Sequence, residues 1–101
     1  MTSHEFRKRV ALGGAVPLSA REWENIAPHF PLVERHKTQL AGDLIIVRFD
    51  GEYAAVEQPS RNARVARLLV GMDAVREFVE KRLSEYERMW DGCGVKVEYL
   101  E

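Results

Sequence analysis

MDAVREFVEKRLSEYERMWDGCGVKVEY, residues Met72–Tyr99, states its structure more plainly than any other part of the chain. With successive residues turned about 100°, Val75, Phe78, Val79, Leu83, Tyr86, Met89 and Trp90 fall within an arc of roughly 140°. Asp73 is the N-cap candidate, so the spacing predicts an amphipathic helix over 73–90, with Glu77–Lys81 and Lys81–Glu85 pairs on its outer face. Asp91-Gly92-Cys93-Gly94 stops it, Gly92 being placed for the left-handed conformation. Val95, Val97 and Tyr99 then alternate with Lys96 and Glu98, the period of a half-buried strand over 95–99. Burying the arc contributes on the order of 10–20 kcal/mol gross, at about 1.5–3 kcal/mol per large apolar side chain. Ordering the backbone costs about 1–2 kcal/mol per residue. Such a helix does not stand alone and needs a sheet to lie on.

The sheet lies upstream. Leu44-Ile45-Ile46-Val47-Arg48-Phe49 is β-branched and apolar on both parities, as a central strand covered on both faces requires. Asp50-Gly51 is a residue pair suited to a two-residue type I′ turn, whose central residues both need positive φ. A hairpin over 43–58 follows, with Phe49 opposite Glu52, Val47 opposite Ala54, Ile45 opposite Val56 and Arg48 against Tyr53. Pro59-Ser60-Arg61-Asn62 signals a turn, and a third strand is expected near 64–70. The competing pattern is a helix capped by Ser60, with Ala63, Ala66, Leu69 and Val70 on one face, Arg61, Arg64 and Arg67 on the other, and Gly71 ending it. The short run and the turn before it favour the strand.

Nearer the start, Ser19-Ala20-Arg21-Glu22 is a capping box. Trp23, Ile26, Ala27 and Phe30 give the helix that follows one apolar face, and Pro28 and Pro31 end it early, so a short helix over 20–28 is expected. Ser3 caps a helix carrying Phe6 and Val10 if residues 3–12 are helical; Arg7–Leu12 is otherwise an edge strand, and the helix is preferred. Gly13-Gly14 and Pro17 make a linker to about Leu18, so residues 1–18 form a poorly defined segment. Val33–Leu40 is polar with a weak alternation, fitting an edge strand or a loop.

The 101 residues make one domain with a single modest core. The elements assemble as an α+β two-layer domain: an antiparallel sheet built on the hairpin, with the 73–90 helix across one face. Fifteen Lys and Arg against 16 Asp and Glu give a net charge of −1, so the whole chain has no electrostatic pull toward nucleic acid or anionic lipid. No apolar run approaches the roughly 18 residues of a membrane span, and the charged start, with Arg7-Lys8-Arg9, is unlike a secretory signal. A cytoplasmic protein without membrane attachment is the expectation. The single Cys93 excludes an internal disulfide and a cysteine-only zinc site. Leu100 and Glu101 could equally be a cloning scar and carry no weight.

Arg82 is the anomaly, since the helical count puts it inside the apolar arc. Either it runs along the sheet and pairs with an acid such as Glu52 or Glu57, or it meets an anion in a cleft between helix and sheet. Cys93 follows a helix C-terminus beside Asp91, where the negative end of the dipole disfavours a thiolate. His4, His29 and His36 have no ligand-type partner at helical spacing and read as surface residues. Arg61, Arg64 and Arg67 are a cationic concentration that a strand would divide between faces. The element order coincides with that of double-stranded RNA-binding domains, but the last helix opens Met72-Asp73-Ala74-Val75 where those domains place basic residues. No phosphate-binding glycine loop, catalytic triad or internal repeat is present.

No motif names an activity, a catalytic residue, a metal ligand or a cofactor. The leading expectation is a non-enzymatic protein-binding or regulatory module, contacting another protein or a second copy, because Leu44 and Ile46 leave the second sheet face apolar. Next stands a small-ligand or anion-binding domain, or an enzyme, with its cleft at Arg82, Tyr86 and Trp23. Nucleic-acid binding through Arg61, Arg64 and Arg67 ranks third.

Overall fold

The computed structural model describes residues 1–38, 42–89 and 95–98, the side chains of 38, 86–89 and 95–98 excepted. Its elements in order are α1 (Ser3–Ala11), β1 (Val16–Ser19), α2 (Ala20–Ile26) continued by a 3₁₀ turn (Ala27–His29), β2 (Leu32–Thr38), β3 (Leu44–Phe49), β4 (Glu52–Ser60), β5 (Ala63–Leu69), α3 (Met72–Met89) and β6 (Val95–Glu98). The strands form one sheet in the order β1-β5-β4-β3-β2-β6, and every neighbouring pair is antiparallel. The α+β class and the antiparallel sheet built on a central hairpin are as the sequence pattern predicts.

The hairpin follows its turn chemistry. Asp50 has φ 46° and Gly51 φ 87°, the positive pair that a type I′ turn demands. The register pairs Phe49 with Glu52, Arg48 with Tyr53, Val47 with Ala54 and Ile45 with Val56. Residues 63–69 are a strand, and the helical alternative for this segment falls away. α1 is a helix capped by Thr2, whose hydroxyl accepts from the Glu5 N–H, one residue before the expected Ser3. At α2 both halves of the capping box form: the Ser19 hydroxyl accepts from the Glu22 N–H and the Glu22 carboxylate from the Ser19 N–H.

Alternation along β3 sends its side chains to two separate cores. On one face Val47, Phe49, Ala54, Val56 and Ala66 pack with Phe6 and Val10 of α1 and with Trp23, Ile26 and Phe30 around α2. Phe6 sits among Trp23, Phe30 and Phe49, with ring centroids 5.2–6.1 Å away. On the other face Leu44, Ile46, Ala55 and Leu69 meet Val75 and Val79 of α3. The helices thus cover both faces, and the surface that Leu44 and Ile46 were expected to leave open is closed, both being fully buried.

Four further expectations change. Val16–Ser19 is not a linker but strand β1, its short run held by pairing with β5. β2 is no edge strand, because β6 pairs with its outer side. α3 starts at Met72, so Asp73 lies in its first turn rather than at its cap, and the Gly71 N–H donates to Glu52 Oε2 at 2.8 Å. His36 is 0% exposed rather than on the surface. The expected stop at Gly92, Cys93 itself, Trp90 and Tyr99 lie outside the described residues.

Candidate functional site

The backbone of β5 offers more than its neighbour uses. Ala20 N–H donates to Asn62 O at 2.9 Å, in the same register that pairs Leu18 with Arg64 and Val16 with Ala66. In an antiparallel pair, residues of one parity aim both N–H and C=O at the neighbouring strand. Asn62, Arg64 and Ala66 therefore address β1, and Leu68 is the next residue to do so. β1 starts opposite Ala66, and the chain before it passes through Gly14 and Gly13 with φ 82° and 85°, a conformation that cannot prolong the strand. Among the described residues no backbone hydrogen bond joins residues 12–15 to Leu68. Arg67 and Leu69, of the other parity, are bound into the ladder with β4. The sheet thus has a short open edge centred on Leu68.

Beside that edge lies a cleft of about 350 Å³, lined by Gly14, Arg67, Leu68, Leu69, Phe78, Lys81, Arg82 and Glu85. A Cβ added at Gly14 would meet nothing within 4 Å, so the space next to it is open. Leu12, 87% exposed, and Val70, 65% exposed, bracket this stretch in sequence. Large apolar side chains exposed to that degree next to unpaired strand edge are what a strand-binding surface presents.

The cleft wall is charged and internally braced. Arg82 Nε stands 2.9 Å from Glu57 Oε2, and its Nη1 donates to Glu85 Oε2 at 2.8 Å, so the acid partner expected for Arg82 is Glu57. The guanidinium also lies over the Phe78 ring, 5.1 Å from its centroid, a cation–π contact that fixes its direction. Arg67 Nε is 3.6 Å from the other Glu57 oxygen. Neither expected Lys81 pair forms: Lys81 makes no ion pair with Glu77 or Glu85, and Glu85 is taken by Arg82.

The remaining expected site residues are dispersed. Trp23 is buried in the α1–α2 core, on the opposite side of the sheet from Arg82, so one cleft cannot hold both. Tyr86 lies in α3, its side chain outside the described residues. Arg61 is in the β4–β5 turn, Arg64 Nη1 donates to the carbonyls of Ser60, Arg61 and Ala63, and Arg67 faces α3. Arg64 pairs with Leu18 on the α1 side, so these cations form no common stripe.

Two features went unread in the sequence. His36 Nε2 and Glu34 Oε2 are 3.0 Å apart on β2, and Glu34 lines a second cleft of about 250 Å³ with Arg76, Val79 and Glu80. Their i, i+2 spacing, which puts both on one face of a strand, was the available signal. Among the described residues no group of three or more His, Cys, Asp and Glu is placed to hold a metal ion, and no helix is long and apolar enough to cross a membrane. Comparison with protein-family models, curated proteins and solved structures finds no match.

Proposed function

We propose that the chain is a non-enzymatic interaction module that takes up an extended segment of another protein along the open edge of β5. The observation that carries this is the parity of β5, which turns the N–H and C=O of Leu68 outward past the end of β1, with no backbone hydrogen bond to residues 12–15 among the described residues. A segment laid there continues the line of β1 and gains main-chain hydrogen bonds, while alternate side chains provide the selectivity. A second copy fits less well than a separate strand. Its own β5 would bring its β1 along the same edge, leaving room to pair only about three residues on each chain.

The test is a two-dimensional amide NMR titration with five-residue peptides of alternating valine and polar residues. Changes centred on residues 13–15 and 67–70, lost when the peptide nitrogens on the pairing side are methylated, are expected. Changes centred elsewhere, binding indifferent to methylation, or no binding at millimolar peptide overturn the proposal. Leu68→Pro gives a check within the protein. It removes the outward N–H, which proline tolerates on the open side of an edge strand, and leaves the β4 ladder intact. Binding should fall while the dispersed amide spectrum is retained.

A further inference from the structure

Resting on that placement of a partner strand, we infer that the partner is a segment in which acidic residues alternate with apolar ones, its carboxylates directed at α3. Leu68 packs toward the α1–α2 core, whereas Leu69 packs toward α3, so the two faces of the added strand meet different chemistry. Side chains opposite Leu68 and Val70 emerge on the α1 side, where Leu12, the C-cap of α1, and Val70 are exposed apolar residues. Those opposite Arg67 and Leu69 enter the cleft. The alternation is the same whichever way the segment runs, because paired residues share a face in either direction.

The cleft selects the charge. Of its described lining residues Arg67, Lys81 and Arg82 are cationic and Glu85 is acidic. Glu57, below them, pairs with Arg67 and Arg82, so among the described residues three positive charges face two negative ones. The exposed Lys81 makes no ion pair among the described residues, and the Arg67 Nε has no hydrogen-bond partner among them. Lys81 can turn to an arriving carboxylate without breaking an ion pair, whereas Arg67 would be shared between that carboxylate and Glu57. The Phe78 ring and the aliphatic stems of the basic residues can pack against the methylenes of a glutamate. A lysine stem would pack there equally well, but its charge would stand against the cation excess.

Fluorescence anisotropy with labelled Val-Glu-Val-Glu-Val, Val-Gln-Val-Gln-Val and Val-Lys-Val-Lys-Val peptides tests this. The glutamate peptide should bind about three- to tenfold more tightly than the glutamine one, the scale of two partly exposed ion pairs. The lysine peptide should be weakest. Lys81→Ala, a change at an exposed helix position, should shrink the glutamate preference at least twofold, as should salt near roughly 0.5 M, where charges are screened within a few ångström. Equal affinity for the glutamate and glutamine peptides overturns the inference and leaves the β5 edge as the binding place. A glutamate preference untouched by both Lys81→Ala and salt overturns the inference as well, since its source then lies elsewhere. If none of the peptides binds, the edge proposal falls and this inference with it.

Discussion

Arg82→Met in α3 should destabilise the fold through the carboxylate it abandons more than through contacts of its own. Glu57 retains 12% and Arg82 26% of side-chain exposure, with Nε and Oε2 2.9 Å apart. At an effective dielectric of about 20, that separation corresponds to roughly 6 kcal/mol of gross attraction. Much of it is offset by the desolvation of two charged groups. Breaking a fully buried pair costs about 3–5 kcal/mol, while an exposed pair is worth about 0.2–1 kcal/mol. This pair stands between, so a loss of about 1.5–3 kcal/mol is expected for Arg82→Met, whose side chain keeps the apolar stem beside Phe78. Arg67, at 3.6 Å from Glu57, cushions the loss without replacing the closer contact. Glu57→Gln removes the stranded charge, so the double variant should be more stable than the sum of the two single losses implies, by about 1–2 kcal/mol. Urea unfolding of all four proteins measures that coupling directly. Additivity within about 0.5 kcal/mol, or an Arg82→Met protein as stable as the parent, would refute the assignment of Glu57 as the group that holds Arg82 in the apolar arc.

Phe6 is fully buried among three aromatic rings, so Phe6→Ala should cost about 3–5 kcal/mol in chemical denaturation, while Leu12→Ala at an exposed position stays within about 0.5 kcal/mol. At Gly42, with φ 77°, an added Cβ would come within 2.8 Å of the Gln58 carbonyl oxygen; Gly42→Ala should therefore lower the urea midpoint more than Gly51→Ala, which meets only open space and bears the backbone strain of about 1–2 kcal/mol alone. The Ser19 backbone N–H, followed by the Met1 ammonium, holds the Glu22 carboxyl below its ordinary value of 4.5. A depressed carboxylate stabilises the fold above its unfolded pKa, and that contribution is lost as pH falls through the folded value. Glu22→Gln should flatten the acid limb of stability below about pH 4.5 and leave the slope above pH 6 unchanged.

Local chemistry was legible at two places where one segment satisfies itself. Asp50-Gly51 fixed both the turn and the register of its strands, because positive φ at two adjacent positions has few other uses. Ser19 and Glu22 likewise satisfy each other's backbone groups across three residues and require nothing distant. For Arg82 the sequence named Glu52 or Glu57 as partners in one of two readings, and the pair that forms on the sheet is with Glu57.

What escaped the sequence depends on neighbours far along the chain. Four residues, Val16–Ser19, are too few to show a period, and they are a strand only because β5 offers them an edge. β2 reads as polar because Glu34 and His36 occupy positions where a strand buried on both sides would carry apolar residues. It is interior only because β6, nearly sixty residues later, pairs with it. His36 is buried by that assembly and not by its own surroundings in sequence. The same dependence explains the candidate site. An open stretch of β5 exists because β1 is shorter than its partner, a difference between two strand lengths that neither strand encodes alone. Lengthening β1 is therefore the most direct way to close the site. If Gly13 and Gly14 give the chain its early turn away from β5, replacing both with residues that disfavour positive φ should move residues 12–15 toward β5 and protect the Leu68 amide from hydrogen exchange. Peptide binding should be lost in the same variant. Protection of Leu68 with binding retained would separate the edge from the activity and refute the link between them.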